Sequence, residues 1–416
     1  MVKQRISISS LRNFSLGLLI LILGIVVGYR YGQSEIGPGK IPLSQIIKTQ
    51  APDERQNVDF SVFWEVWGYL DETYLNSADL DAREMVNGAV SGMTAAIGDP
   101  YTAYLPPKLN QRSAEDLAGS FYGVGVVLGY IDETLAVISP LKGTPAEEAG
   151  IHAGDLIIHV KDDNKGLDED TVGWTLDEAV EKIRGKKNTH LTLTLLRKNG
   201  QENNYGEPLD IDITRGEIVV ESVELEFVEH DGKRVAHLSV FKFGERTLEE
   251  FDEAVGQILT QGYQLDGILL DLRNNAGGFF DGAIDLASEF VEDGVVVSQE
   301  GKFTKRDFNA KGKARLTKFP LLVLVNRGSA SASEIVAGAL RDQLDAKLIG
   351  ENTFGKGTVQ DRRELSNGGG LHITIARWLL PKGDWIHDTG IPVDVEIKDD
   401  RETEQDEVLL RAIEEL

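Results

Sequence analysis

The chain has 416 residues, 41% of them hydrophobic, with 43 Lys plus Arg against 68 Asp plus Glu, a net charge of −25 and no cysteine. That length and apolar content suit two or three domains with real cores and exclude a disordered or collagen-like chain. The missing cysteines exclude a disulfide framework, a thiol nucleophile, an iron–sulfur cluster and Cys-ligated zinc, and the acidic balance argues against a nucleic-acid partner, whose phosphates must be neutralised by Lys and Arg.

The first 34 residues reverse the overall charge, holding Lys3, Arg5, Arg12 and Arg30 and no acid. Residues 14–31 read FSLGLLILILGIVVGYRY and are essentially apolar from Leu16 to Val27, close to the lower limit for a membrane-spanning helix. No small-residue cleavage site follows, so an uncleaved anchor is expected, with its basic flank in the cytoplasm and everything beyond about residue 34 outside. The stretch 33–57, with Gly37, Pro38, Gly39, Pro42 and Pro52, has the composition of a tether.

From Phe60 the pattern turns helical. Phe60, Phe63, Trp64, Trp67, Leu70 and Tyr74 recur at three- and four-residue steps, as do Met85, Ala89 and Met93, and the stripe is expected to be core. Between Gly119 and Arg215 short strands follow one another: GVGVVLGYI, TLAVISPL, DLIIHVKD and HLTLTLLRK. Two short helices interrupt them. One opens at Thr144-Pro145-Ala146-Glu147 with the residues of a capping box, and the other spans 176–183 with Leu176, Ala179, Val180 and Ile183 on one face. Beyond Val219 strands and helices alternate, as in GILLDLR before DGAIDLASEF and PLLVLVN before SEIVAGALRD, which predicts a parallel-rich α/β core.

Sites in such sheets lie in loops after the carboxyl ends of strands, and three loops qualify. The first is Asn274-Asn275-Ala276-Gly277-Gly278, whose paired glycines let backbone N–H groups turn toward a ligand. The second, Gly328-Ser329-Ala330-Ser331-Ala332-Ser333-Glu334, joins a strand to a helix, so unpaired N–H groups and the positive helix end face whatever binds there. It offers three serines as nucleophiles. The third is GENTFGKGT at 350–358. It imitates a phosphate-binding loop, but Gly357 stands where Ser or Thr must hold magnesium, and a strand follows instead of a helix. A nucleotide site is therefore rejected. None of the seven histidines pairs with another at metal-ligand spacing, so no metal and no cofactor is expected. A serine nucleophile without a nominated histidine needs another base. Lys356 can serve if desolvation keeps it neutral.

GSASASEIVAGALRD, then IGENTFGKGTVQ, preceded by DLRNNAGG, resembles the carboxyl-terminal processing proteases, which are serine–lysine endopeptidases with an inserted PDZ domain. The resemblance extends from Phe60 through GAVSGMTAAIGDPYTAYL and the PDZ-like FYGVGVVL and GTPAEEAGIHAGDLIIHV. It implies Ser331 as nucleophile, Lys356 as general base, Gln360 as the group that orients the lysine, and Gly277 and Ala332 as the oxyanion-hole donors. Tyr122, Gly123, Val124 and Gly125 correspond to the loop that takes the carboxylate of a peptide added beside the sheet edge. The sequence departs from the family at Ala276, where proline is usual, and at 162–173, which lengthens the PDZ-like part.

The resulting expectation is an α/β (α+β multidomain) protein with a crotonase-like protease core. Its parts are a cytoplasmic tip and transmembrane anchor at 1–34, a linker at 35–57, a helical module at 58–118, a PDZ domain at 119–215, the serine protease core at 216–400 and a carboxyl-terminal helix at 401–416. The expected partners are proteins or peptides with free C-termini, the membrane, and a second copy of the chain through the helical module, since dimers are common in the family. The alternative is a membrane-tethered PDZ scaffold without catalysis.

Overall fold

The computed structural model describes residues 59–198, 205–398 and 405–416. The expected membrane anchor and the linker lie outside the described residues, and among those described no helix is long and apolar enough to cross a membrane. The chain divides into two compact units, residues 1–82 and 83–416.

In the first unit, helix α1 (Ser61–Thr73) carries the aromatic stripe read from the sequence. The expectation that this stripe is core is not met. No residue of α1 is buried, and Trp64 is 63% exposed. Periodicity shows which residues share a face and is silent on whether anything covers it. Phe63, Trp64 and Trp67 pack as neighbours along the helix, with ring centroids 4.9–6.0 Å apart.

The second unit begins within α2 (Ala82–Ala95), followed by β1 (Ala103–Leu105) and α3 (Pro107–Ala118). Pro107 occupies the first turn of α3, where its missing N–H costs nothing, and Gly119 ends the helix in the left-handed region. Then β2 (Ser120–Gly123) leads into a sheet of β3 (Val126–Ile131), β4 (Thr134–Pro140), β5 (Leu156–Asp162), β6 (Leu167–Asp170), β7 (His190–Leu196) and β8 (Leu209–Thr214), in the order β3-β4-β5-β7-β8 with β6 on β5. Two helices pack with it, α4 (Pro145–Glu148) and α5 (Leu176–Ile183).

A capping box that was not read from the sequence forms at α5 between Thr175 and Glu178. At α4 the box is absent, because Thr144 Oγ1 turns to the carbonyls of Leu141 (2.6 Å) and Gly125 (3.1 Å) while Glu147 takes the N–H of Gly143 (2.7 Å). The lengthened stretch 162–173 acquires a structural reason. It supplies Lys165, whose ammonium donates to the carbonyls of Glu181, Lys182 and Arg184 at 2.5–2.9 Å and so completes the carboxyl end of α5.

The core domain follows with β9 (Gly216–Val219), β10 (Val223–His230), β11 (Lys233–Val240), α6 (Thr247–Gln261), β12 (Gly267–Asp271), α7 (Phe280–Ala287), β13 (Val295–Gly301), β14 (Lys305–Asn309), β15 (Leu321–Val325), α8 (Ala332–Leu344) and β16 (Lys347–Gly350). It closes with β17 (Thr358–Glu364), β18 (Gly370–Leu379), β19 (Val395–Glu396) and α9 (Glu407–Glu415). Strands β11, β12, β15, β16 and β19 run parallel in one sheet, with β10 antiparallel at its edge. Every residue of β12 is buried, as a two-sided parallel sheet requires. A second sheet of β1, β18, β13, β14 and β17 stands beside it. The loops after β12 and β15 leave neighbouring parallel strands at the same end, which is how two motifs more than fifty residues apart come together.

Candidate active site

The loop after β15 makes an abrupt turn into α8. Ser331 sits at that turn with φ 54° and ψ −113°, a conformation that costs a non-glycine residue of order 1–3 kcal/mol. The strain is held by its neighbours. Ser329 is fully buried, donating to Leu272 O (2.8 Å) and accepting from Asn326 N–H (3.0 Å), and buried Ser333 donates to Asn275 O (2.8 Å). Two of the three candidate serines therefore pin the loop after β15 to the loop after β12. Ser331 alone of the three lines a cavity of about 350 Å³, together with Lys356, Gln360, Gly278, Phe279, Arg362 and His372 among others.

The loop after β12 is ordered around Asn275, whose buried side chain donates to Val240 O (2.7 Å) and accepts the N–H of Gly277 (2.8 Å). Gly277 has φ 98°, and a Cβ there would lie 2.8 Å from Ala330 O and 2.9 Å from Ser331 Cβ, so only glycine fits against the serine turn. Its N–H is thus occupied by Asn275, whereas Gly278 is the residue of this pair that lines the cavity. Ala332 opens α8, where main-chain N–H groups and the positive end of a 13-residue helix face the serine.

Lys356 comes from the glycine loop before β17, and its backbone is strapped down. Trp378 Nε1 donates to Lys356 O (3.0 Å), Trp385 Nε1 to Gly357 O (2.9 Å), and Gly357 N–H reaches His387 Nδ1 (3.2 Å). The ammonium lies 5.1 Å from the ring centre of Tyr101. Burial pushes the lysine below its ordinary pKa, and the negative charges of Glu334 and Asp99 oppose this only in part. Gln360 faces the same cavity, with its amide nitrogen on Thr358 Oγ1 (3.0 Å) and Thr374 Oγ1 (3.1 Å).

A residue that the sequence reading passed over joins the two halves. Glu334 is fully buried, and its carboxylate accepts four hydrogen bonds: from Ser331 N–H (2.8 Å), Lys356 N–H (2.9 Å), Gly355 N–H (2.7 Å) and Thr353 Oγ1 (2.6 Å). One side chain thereby fixes the backbones of both the serine and the lysine. In sequence it looked like the ordinary acid of a helix first turn, and the available signal was its position three residues after Ser331.

In the PDZ-like part, Tyr122 and Gly123 pair with Glu217 and Gly216 on β9, Val124 is core, and Gly125 has φ 83° where a Cβ would collide with Thr144. Strand β3 is the edge of its sheet, and Tyr130 Oη on it donates to Trp174 O (2.7 Å) just before α5. Among the described residues, the only three-ligand group close enough to share an ion is His230, Asp231 and Glu414. It lies on the surface at the amino end of β11, the opposite end of the sheet from Ser331.

A strained serine at a helix start, a desolvated lysine in the same cavity and a PDZ-like sheet define the class, a serine-type peptidase carrying a PDZ domain. The family comparisons agree: residues 234–397 match the model of peptidase family S41, and residues 112–196 match the PDZ domain. The chain is 36% identical over 312 residues to the carboxy-terminal processing protease CtpA of Bacillus subtilis, covering 75% of this chain and 63% of the relative. It is 35% identical over 349 residues to a CtpA-like serine protease of Staphylococcus epidermidis, covering 83% of this chain and 67% of the relative. The chain thus spans about two thirds of the length of these relatives. A crystal structure of a Bacteroides fragilis protein named as an S41 protease shares the fold, with 17% identity, a TM-score of 0.52, and coverage of 87% of this chain and 97% of the other. The chain belongs to peptidase family S41.

Proposed function

We propose that the chain is an endopeptidase of the cell surface that docks protein C-termini on its PDZ domain and hydrolyses peptide bonds by a serine–lysine mechanism. The observation that carries this reading is the pair of Ser331 and desolvated Lys356 lining one cavity while a single buried carboxylate holds both backbones. Neutral Lys356 takes the proton of Ser331 Oγ as the oxygen attacks the scissile carbonyl. The resulting oxyanion is met by Ala332 N–H at the helix start, and by Gly277 N–H once it swings off Asn275 Oδ1, each such donor being worth about 3 kcal/mol. Collapse breaks the C–N bond, the lysine ammonium returns the proton to the leaving amine, and an acyl-enzyme remains on Ser331. Water then attacks this ester with Lys356 again as base, releasing the acid product and free serine. Gln360 holds the β17 wall beside the lysine through its two threonine partners. Incubating the purified chain with a disordered protein and locating cuts by mass spectrometry tests the activity, and an intact protein would refute it.

The PDZ role rests on the edge strand β3 and on the turn of Gly123, Val124 and Gly125 before it, where a peptide adds as a further strand with its carboxylate at the turn. Amidating the last residue of a good substrate is expected to weaken its binding about tenfold or more, the worth of hydrogen bonds to a charged group. Titration of matched acid and amide peptides measures this. Equal affinities would show that the domain does not read tails. Membrane attachment rests on the apolar run 16–27 and the cations before it, and a protease added outside intact cells is expected to reach a C-terminal tag.

A further inference from the structure

The wall of the active-site cavity built by β17 and β18 is more polar than proton transfer at Ser331 requires. The two strands are antiparallel neighbours, with Gln360 opposite Thr374 and Arg362 opposite His372. Thr358, Gln360 and Arg362 on β17 line the cavity, and His372 joins them from the partner strand.

Arg362 and His372 are poorly satisfied there. Arg362 Nε and His372 Nε2 are buried without hydrogen-bond partners, two of three such side-chain atoms among the described residues. Unmet groups of this kind cost stability, so their concentration in one cavity calls for an explanation. The guanidinium is aimed from one end only: its Nη2 donates to the carbonyl (3.2 Å) and the side-chain oxygen (3.0 Å) of Asn110 on α3. The charged groups around the cavity are few. Asp116 lines it, but its carboxylate is 76% exposed and pairs with Lys242 at 3.1 Å. Glu364 lies 3.5 Å from Arg362 Nη2, yet it is two-thirds exposed and also takes the amide of Asn110. Burial, then the charges of Arg362 and Lys356, hold His372 below its ordinary pKa, so it is a neutral ring at neutral pH. When Lys356 is neutral and acting as base, Arg362 is the cavity's standing cation, in a chain whose net charge is −25.

We infer that Arg362, oriented by Asn110 and flanked by His372, is a specificity-determining subsite that takes a carboxylate of the substrate close to the scissile bond. This rests on the proteolytic reading above. The carboxylate has two sources, an Asp or Glu side chain, or the terminal α-carboxylate of a substrate cut within a few residues of its end. Either one offers the guanidinium a bidentate acceptor.

The test uses the full chain and three peptides that share one cleavable core: one with a Glu beside the cut and an amidated end, one with a neutral side chain and a free-acid end a few residues away, and one neutral with an amidated end. For the wild type, kcat/KM for one carboxylate peptide should exceed that for the neutral peptide about tenfold, and which peptide it is identifies the source. In Arg362→Gln that ratio should fall close to one, and in Arg362→Lys it should be intermediate, since the charge stays while the planar fork is lost. Because the ratio is taken within each preparation, a partly misfolded variant does not distort it. A ratio as high in Arg362→Gln as in wild type would overturn the subsite and leave the protease reading standing. A wild type that cleaves none of the three would overturn both.

Discussion

Ser331→Ala and Lys356→Ala should each lower kcat by at least about 10⁴-fold, and the double variant should be no worse than either, because nucleophile and base act as one unit. In thermal unfolding the stability of Ser331→Ala should fall only slightly, by about 1 kcal/mol or less, the worth of the contact between the Ser331 hydroxyl and the Glu334 N–H at the helix start. Lys356→Arg should be as inactive as the alanine variant. A guanidinium cannot give up its proton at accessible pH, so size and charge alone do not restore a base. The pH profile follows the same logic. The working form of Lys356 is neutral, so activity rises as pH climbs through its pKa, and because burial depresses that pKa the midpoint falls below the ordinary lysine value. The profile should lack this rising limb in any variant without the lysine.

Glu334→Gln carries the second large effect. The native carboxylate accepts from two backbone N–H groups on one oxygen, those of Ser331 and Lys356, and from Gly355 N–H and Thr353 Oγ1 on the other. An amide keeps one acceptor oxygen and places an NH₂ group against donors at the other, so at least one pair of donors is left unmet. The expected outcome is a kcat about 100-fold lower with KM little changed, and a stability loss of about 2 kcal/mol. Glu334→Asp, one methylene shorter, should fail to span both loops and show the same split. Steady-state kinetics beside thermal unfolding separates the two effects. A fully folded Glu334→Gln enzyme with wild-type kcat would show that the shared carboxylate has no positioning role.

The positions of the loops that meet at the cavity were legible because both follow apolar strand runs and carry small residues where a helix or a glycine turn must begin. The choice among Ser329, Ser331 and Ser333 was not legible from composition. It depends on which hydroxyl is consumed in tying one loop to the other, and that is a property of two segments brought together by parallel strands. Glu334 escaped notice for the same reason, since an acid in the first turn of a helix has a local explanation that conceals its long-range one. The α1 stripe misled in the opposite direction. A helical apolar face is a local pattern, while burial depends on a covering surface that the pattern does not specify. Lys165 shows that a stretch which lengthens a domain can have a definite local task, here completing the end of α5.

The most direct measurement is to trap the acyl-enzyme: the purified chain is mixed with a peptide ester of a cleaved sequence, quenched during turnover and digested, and the acylated residue is located by mass spectrometry. The adduct is expected on Ser331, none on Ser329 or Ser333, and none in the Lys356→Ala variant. Peptide cleavage that proceeds with the adduct on another residue, or unabated in Ser331→Ala, would contradict it.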